Sequence, residues 1–144
     1  MSDRRAAGSG AGGPRVTAAR TILGLSAAIF LLVGGYYLAR PTEGAALVGI
    51  TLDTALGVSD IRAVYGGLDF AVGSLILYCL LRSRLADGLT IQTFVFGGLA
   101  LARMIGIALD RPTESLATTL FAVESAGCIL GIVGLRAVRR RTTD

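Results

Sequence analysis

The sequence predicts an all-α membrane protein, an antiparallel bundle of four transmembrane helices. Three observations carry that expectation. Hydrophobic residues make up 53% of the chain and charged residues only 17%, too little polar surface to coat a soluble domain of 144 residues. The apolar residues gather into four runs, each close to the ~20 residues that cross ~30 Å of hydrocarbon at 1.5 Å per residue. The three prolines, Pro14, Pro41 and Pro112, all lie outside those runs, which agrees with unbroken helices. A lipid-exposed β structure this short could not satisfy its own backbone, so helices are the spans to expect.

The elements follow in chain order. Residues 1–15 are rich in Gly, Ser, Ala and Arg and have nothing with which to bury a core, so they read as a disordered tail. A four-helix membrane domain over 16–138 follows. Its first run, 21–38, has a basic flank, as a signal peptide would. The run is long for that role, and Tyr37 stands where cleavage would want a small residue, so an uncleaved helix is expected. The stretch 41–60 is long for a connection in so small a protein. In it Val48, Ile50 and Leu52 alternate with Gly49, Thr51 and Asp53, which admits a short strand as readily as an interfacial or re-entrant segment. The remaining spans are expected at 63–81, 89–109 and 116–135. The tight loops between them make sequential helices antiparallel neighbours. Residues 139–144 form a basic tail.

Every basic residue is an arginine, and the net charge is +4. The arginines cluster at the ends of apolar runs, so the charge reads as membrane topology and not as a nucleic-acid footprint. Four lie in the N-terminal region, two (Arg82 and Arg84) in the second loop and four at the C-terminus. The opposite side holds Arg40, Arg62 and Arg111. That asymmetry predicts both termini in the cytoplasm and the stretch 41–60 on the outside. Cys79 and Cys128 fall inside apolar runs and read as small packing residues.

Glycine pairs occur in the first three helices (Gly34-Gly35, Gly66-Gly67, Gly97-Gly98), and the fourth carries Gly127, Gly131 and Gly134. In lipid no hydrophobic effect draws helices together, so close backbone approach must do so, and these glycines read as packing surface. The informative residues are the ionisable ones within the spans: Asp69, Arg103 and Glu124. Each lies seven to nine residues from the outer end of its expected helix, or roughly 10 to 13 Å deep. Helical spacing sets Asp69 with Gly66 and Gly73, and Glu124 with Gly127, Cys128 and Gly131, so both carboxylates face the bundle. Arg103 shares its face with Leu99, Gly106 and Asp110. A lone charge at that depth costs ~2.5–3.5 kcal/mol even on a lenient scale, and Arg103 with Glu124 is the natural fork-to-carboxylate pair. Asp69 is then a surplus negative charge, met by Arg62 seven residues before it or carried as the neutral acid.

Other chemistries are excluded by what is missing. There is no His, Lys or Trp, so no imidazole base, His-ligated metal or Schiff base can form. No phosphate-cradling or dinucleotide fingerprint occurs, and no cofactor or metal is expected.

The stretch Asp60-Ile-Arg62-Ala-Val-Tyr65-Gly66-Gly67-Leu68, then Gly97-Gly98-Leu-Ala-Leu-Ala-Arg103-Met-Ile-Gly106 with Asp110 and Pro112, then Glu124, resembles a bacterial family of four-helix membrane proteins catalogued as domain of unknown function 4345. The resemblance runs from about Thr21 to Leu135. It makes Arg62, Arg103 and Glu124 the family positions, with Tyr65 and Asp110 beside them, and Asp69 only loosely part of the pattern. It implies the fold and the polar layer and no activity. A looser similarity to DoxX-like membrane proteins rests on architecture alone.

Three functions are compatible with these residues. The leading expectation is a structural or accessory membrane protein, a subunit of a larger assembly or a homo-oligomer, in which the charge layer fixes helix register. The second is a binder or carrier of a small solute or proton that uses Arg62, Asp69, Arg103 and Glu124. The third is a lipid-modifying enzyme with Asp69 and Glu124 as an acid–base pair.

Overall fold

The computed structural model describes residues 13–139, and all regular structure in that range is helical. Five continuous helices follow one another: α1 Pro14–Ala39, α2 Pro41–Leu47, α3 Ala55–Leu81, α4 Leu85–Asp110 and α5 Ser115–Arg139. Four of them, α1, α3, α4 and α5, are long and apolar enough to cross a membrane. Most of the two expected tails lies outside the described residues. Pro14, Arg15 and Arg139 fall within helices.

Each helix begins and ends for a local reason. Pro14 takes the first position of α1, where its missing N–H costs nothing and its ring presets φ. Pro41 disfavours helical geometry at Arg40, which sits at φ −134°, ψ 61°. The chain therefore breaks there and restarts as α2. The expected strand around Val48–Asp53 does not form. The chain instead turns through Gly49 at φ +76°, and Thr54 opens α3 by accepting a 3.0 Å bond from the Gly57 N–H, a side-chain cap. This cap starts α3 eight residues before its expected position, because a capped, solvated turn needs no apolar composition. The tight loop after α3 closes with Arg84 N–H on Cys79 O at 2.8 Å and Ser83 N–H on Leu80 O at 3.2 Å. This wrap puts Ser83 in the left-handed region at φ 56°, where glycine is preferred. Ser83→Gly is expected to raise stability by about 1 kcal/mol, read as a higher melting temperature in detergent.

Within α3, Arg62–Leu68 is a π-helix. Its i→i+5 bonds hold more residues per turn than an α-helix, so the two flanking α segments do not keep one 3.6-residue phase.

Packing proceeds in two close pairs. On the first, Gly66 lies against Leu38, Gly34 against the backbone of Gly66 and Phe70, and Gly73 against Leu31. As α1 is followed forward α3 is met backward. On the second, Gly127 meets Phe96, Gly131 meets Thr93 and Gly134 meets Leu89, so α4 and α5 also pass in opposite directions. Small residues make both approaches, as packing without a hydrophobic drive requires.

The pairs join at one end only. The main core consists of Ala19, Leu23, Ala27, Phe30, Ile76, Leu85, Leu89 and Phe96. These run from the end of the described chain termini to about mid-height, where Phe30 and Phe96 meet. Beyond Phe96 no residue of α4 is buried, and before Glu124 none of α5 is. The other half has a separate small cluster, Tyr37, Ala45 and Ile61, which involves α1, α2 and α3 alone. The α4–α5 pair therefore splays from the α1–α3 pair at the end that carries residues 40–54 and 111–114, here the loop end.

Candidate functional site

The splay opens a cavity of about 650 Å³ at the loop end. Its walls come from Ala46 and Leu47 at the end of α2, from Val48, Gly49 and Ile50 after it, from Pro112, Glu114, Leu116, Ala117 and Leu120 around the start of α5, and from Tyr65 and Arg103. Apolar walls with a few polar groups are the make-up of small-molecule sites.

Arg103 and Glu124 form a two-point ion pair. Arg103 Nε donates to Glu124 Oε2 at 2.8 Å and Nη2 donates to Oε1 at 2.7 Å. The Glu124 side chain is 8% exposed and that of Arg103 31%. The carboxylate is thus sealed, while the guanidinium keeps an edge on the cavity. A guanidinium has five N–H donors, and this fork occupies two.

The depth of the layer can be read across the helices. The Phe96 ring meets that of Phe30 at a tilt, 5.2 Å between centroids, and seven residues further along both helices bring Arg103 level with Tyr37. Gly66 beside Leu38 and Phe70 beside Gly34 put Asp69 at the same height. The four therefore share a layer, but not one cluster. Asp69 is half-buried on the α1 side. Among the described residues no hydrogen bond or ion pair reaches its carboxylate, although it acts electrostatically on Tyr37.

Arg62 does not meet Asp69. Its Nε donates to Leu38 O at 3.2 Å, the last turn of α1, where a cation complements the helix dipole. The expected shared face assumed an α-helix from 62 to 69. The π segment fills that interval and turns the two side chains apart. Tyr65, in the middle of that segment, links the halves of the layer. It stacks on Tyr37 at 5.4 Å, lines the cavity and lies within electrostatic range of Arg103. The Tyr37 hydroxyl donates to Gly44 O at 3.0 Å and ties α2 to α1. Asp110 is exposed at the end of α4 and takes no part in the site.

Two buried polar residues, Ser26 and Gln92, carry no charge to mark them in the sequence. Gln92 is fully buried in α4. Its Nε2 donates to Gly127 O on α5 at 3.0 Å, and among the described residues its Oε1 has no partner. A lone amide in an apolar run is a visible signal, but a search for charge passes over it. Among the described residues no group of His, Cys, Asp and Glu could hold a metal ion.

Residues 18–135 match the family described as domain of unknown function (DUF4345). No curated protein and no solved structure matches the chain.

Proposed function

The chain belongs to the DUF4345 family, and from that membership and the geometry above we propose a membrane-embedded binding protein whose loop-end cleft takes a small amphipathic solute. In this reading the four long helices form an antiparallel bundle across a bacterial inner membrane. The excess of arginine around 15–20, 82–84 and 136–139 puts that end in the cytoplasm, so the cleft opens on the opposite side.

One observation carries the reading. Arg103 is held rigid by a sealed carboxylate and still keeps an edge on a cavity of about 650 Å³. A guanidinium needed only to fix helix register gains nothing from an open side. Pre-held donors beside apolar walls favour a ligand with one polar acceptor group and an apolar body. Tyr65 supplies a second polar contact at the same wall.

The test fills the cavity without touching the ion pair. Ala117→Trp adds bulk at the wall and leaves Arg103 and Glu124 in place. A panel of amphiphiles and polar solutes is screened by thermal shift on the purified chain. At a hundredfold excess over its Kd, a ligand stabilises by about 2.7 kcal/mol. The wild type is expected to respond to a member of the panel and Ala117→Trp to none, with the unliganded melting temperatures equal. A wild type that responds to nothing, in detergent and in lipid, removes the reading.

A second reading, the accessory subunit, is favoured by a different observation. Gly98, Ala102 and Gly106 form a row of small residues on α4. A Cβ at Gly98 would meet nothing within 4 Å, and one at Gly106 only the chain's own Asp110. This row is not used inside the chain, and small rows in lipid are helix-contact surfaces. Light scattering and cross-linking in native membrane decide it. A monomer without a stable partner excludes it.

A further inference from the structure

At the end opposite the cleft, the first turn of α1 and the last turns of α5 enclose a pocket of about 250 Å³ lined by Arg15, Val133, Arg136 and Ala137. We infer that this pocket binds the phosphate of an anionic lipid headgroup.

The argument begins with charge. Arg40, Arg84 and Arg103 each have a carboxylate within 2.9 Å. Arg15 and Arg136 have none among the described residues, yet both face one hollow. Two like charges brought to one pocket repel unless an anion lies between them. Among the described residues no such anion lies near α1. That helix starts at Gly13 with no side-chain cap and no acidic residue in its first turn, so the positive end of its dipole adds to the field.

Depth then selects the anion. Helix α1 has 26 residues, or ~39 Å, against ~30 Å of hydrocarbon. Its ends therefore project into the headgroup layers, with Arg15 one residue from the tip and Arg136 three residues from the end of α5. Val133 and Ala137 give the pocket an apolar side that continues onto the lipid-facing surface, where Val133 is 56% exposed. A ligand with a phosphate at this height and an apolar chain below it enters from the bilayer itself. Guanidinium forks match phosphate oxygens in geometry as well as charge. Basic pockets between helices on the cytoplasmic side are suited to such headgroups.

The experiment reads lipid retention. The full chain is reconstituted in vesicles of phosphatidylcholine with a minor share of phosphatidylglycerol, extracted gently and weighed by native mass spectrometry. The wild type is expected to retain phosphatidylglycerol in preference to phosphatidylcholine. Arg15→Gln with Arg136→Gln is expected to weaken that retention about thirty-fold, roughly fivefold for each arginine. The comparison is Arg20→Gln with Arg82→Gln, which removes the same charge from the same end and spares the pocket; it should retain the lipid. Equal loss in both double variants overturns the site in favour of general surface charge. Inorganic phosphate that binds the detergent-solubilised chain as tightly, with the same arginine dependence, overturns the lipid assignment in favour of a free anion. Should the first double variant lose its helicity, Arg136→Gln alone carries the test at a fivefold loss.

Discussion

Glu124→Ala should be the most damaging alanine substitution of a charged residue in this protein. It removes both acceptors of Arg103 and leaves a cation at membrane depth without a counter-charge. Breaking a buried pair from one side costs about 3–5 kcal/mol. The lower figure is expected here, because Arg103 keeps an edge on the cavity and water can reach it. Arg103→Glu should be worse, since it sets two carboxylates against each other. Arg103→Glu combined with Glu124→Arg restores opposite charges and should recover part of the loss. Abundance in the membrane and melting temperature in detergent measure all three. Single variants as stable as the wild type would mean that the layer is wet enough to hold unpaired charge, and its role would then lie in binding and not in architecture.

Gly34→Ala is expected to do comparable damage with one methyl group. A Cβ at that position would lie 2.9 Å from both Gly66 O and Phe70 Cα, and closer still to Phe70 N. All three are backbone atoms, so no rotamer change relieves the contact and α1 must part from α3. Overpacking of this kind costs typically 1–3 kcal/mol, and the upper end applies where backbone is the obstacle. Gly35→Ala provides the comparison one residue away. Its Cβ meets nothing within 4 Å, so stability should stay within about 0.5 kcal/mol. Equal loss at Gly34 and Gly35 would show that the α1–α3 contact does not set the cost, since helix propensity alone favours Ala at both positions.

These two expectations also mark what can be read from sequence. The four spans are legible because hydropathy accumulates over twenty residues and the prolines stand between them. Their ends are not, because turns beyond the hydrocarbon are stabilised by Pro14, Thr54 and the Arg84–Asp87 pair, which carry no apolar signal. Counting from helix ends places Arg103 and Glu124 at one depth, since both lie on regular α-helix. Counting also gives the depth of Asp69, but the face it assigns to Arg62 and Asp69 fails. The π segment between them leaves no trace in composition. The glycines announce close packing, but only the fold separates Gly34, pressed against backbone, from Gly98, where an added Cβ would meet nothing within 4 Å among the described residues. The cleft is invisible in sequence for a related reason. The helix stretches that flank the cleft are largely apolar, and lipid-facing and core-facing side chains look alike when both neighbours are hydrocarbon.

The core that joins all four long helices at one end only has a mechanical meaning. The α4–α5 hairpin is a cantilever, clamped where Leu89 and Phe96 meet Leu23 and Phe30 and unsupported from there to its tip at 111–114. A beam held this way concentrates bending strain at the clamp and displacement at the tip. The tip is the rim of the cavity, and Arg103 and Glu124 rivet its two limbs together about halfway out. Whatever widens or narrows the mouth therefore moves the two helices as a single stiff lever.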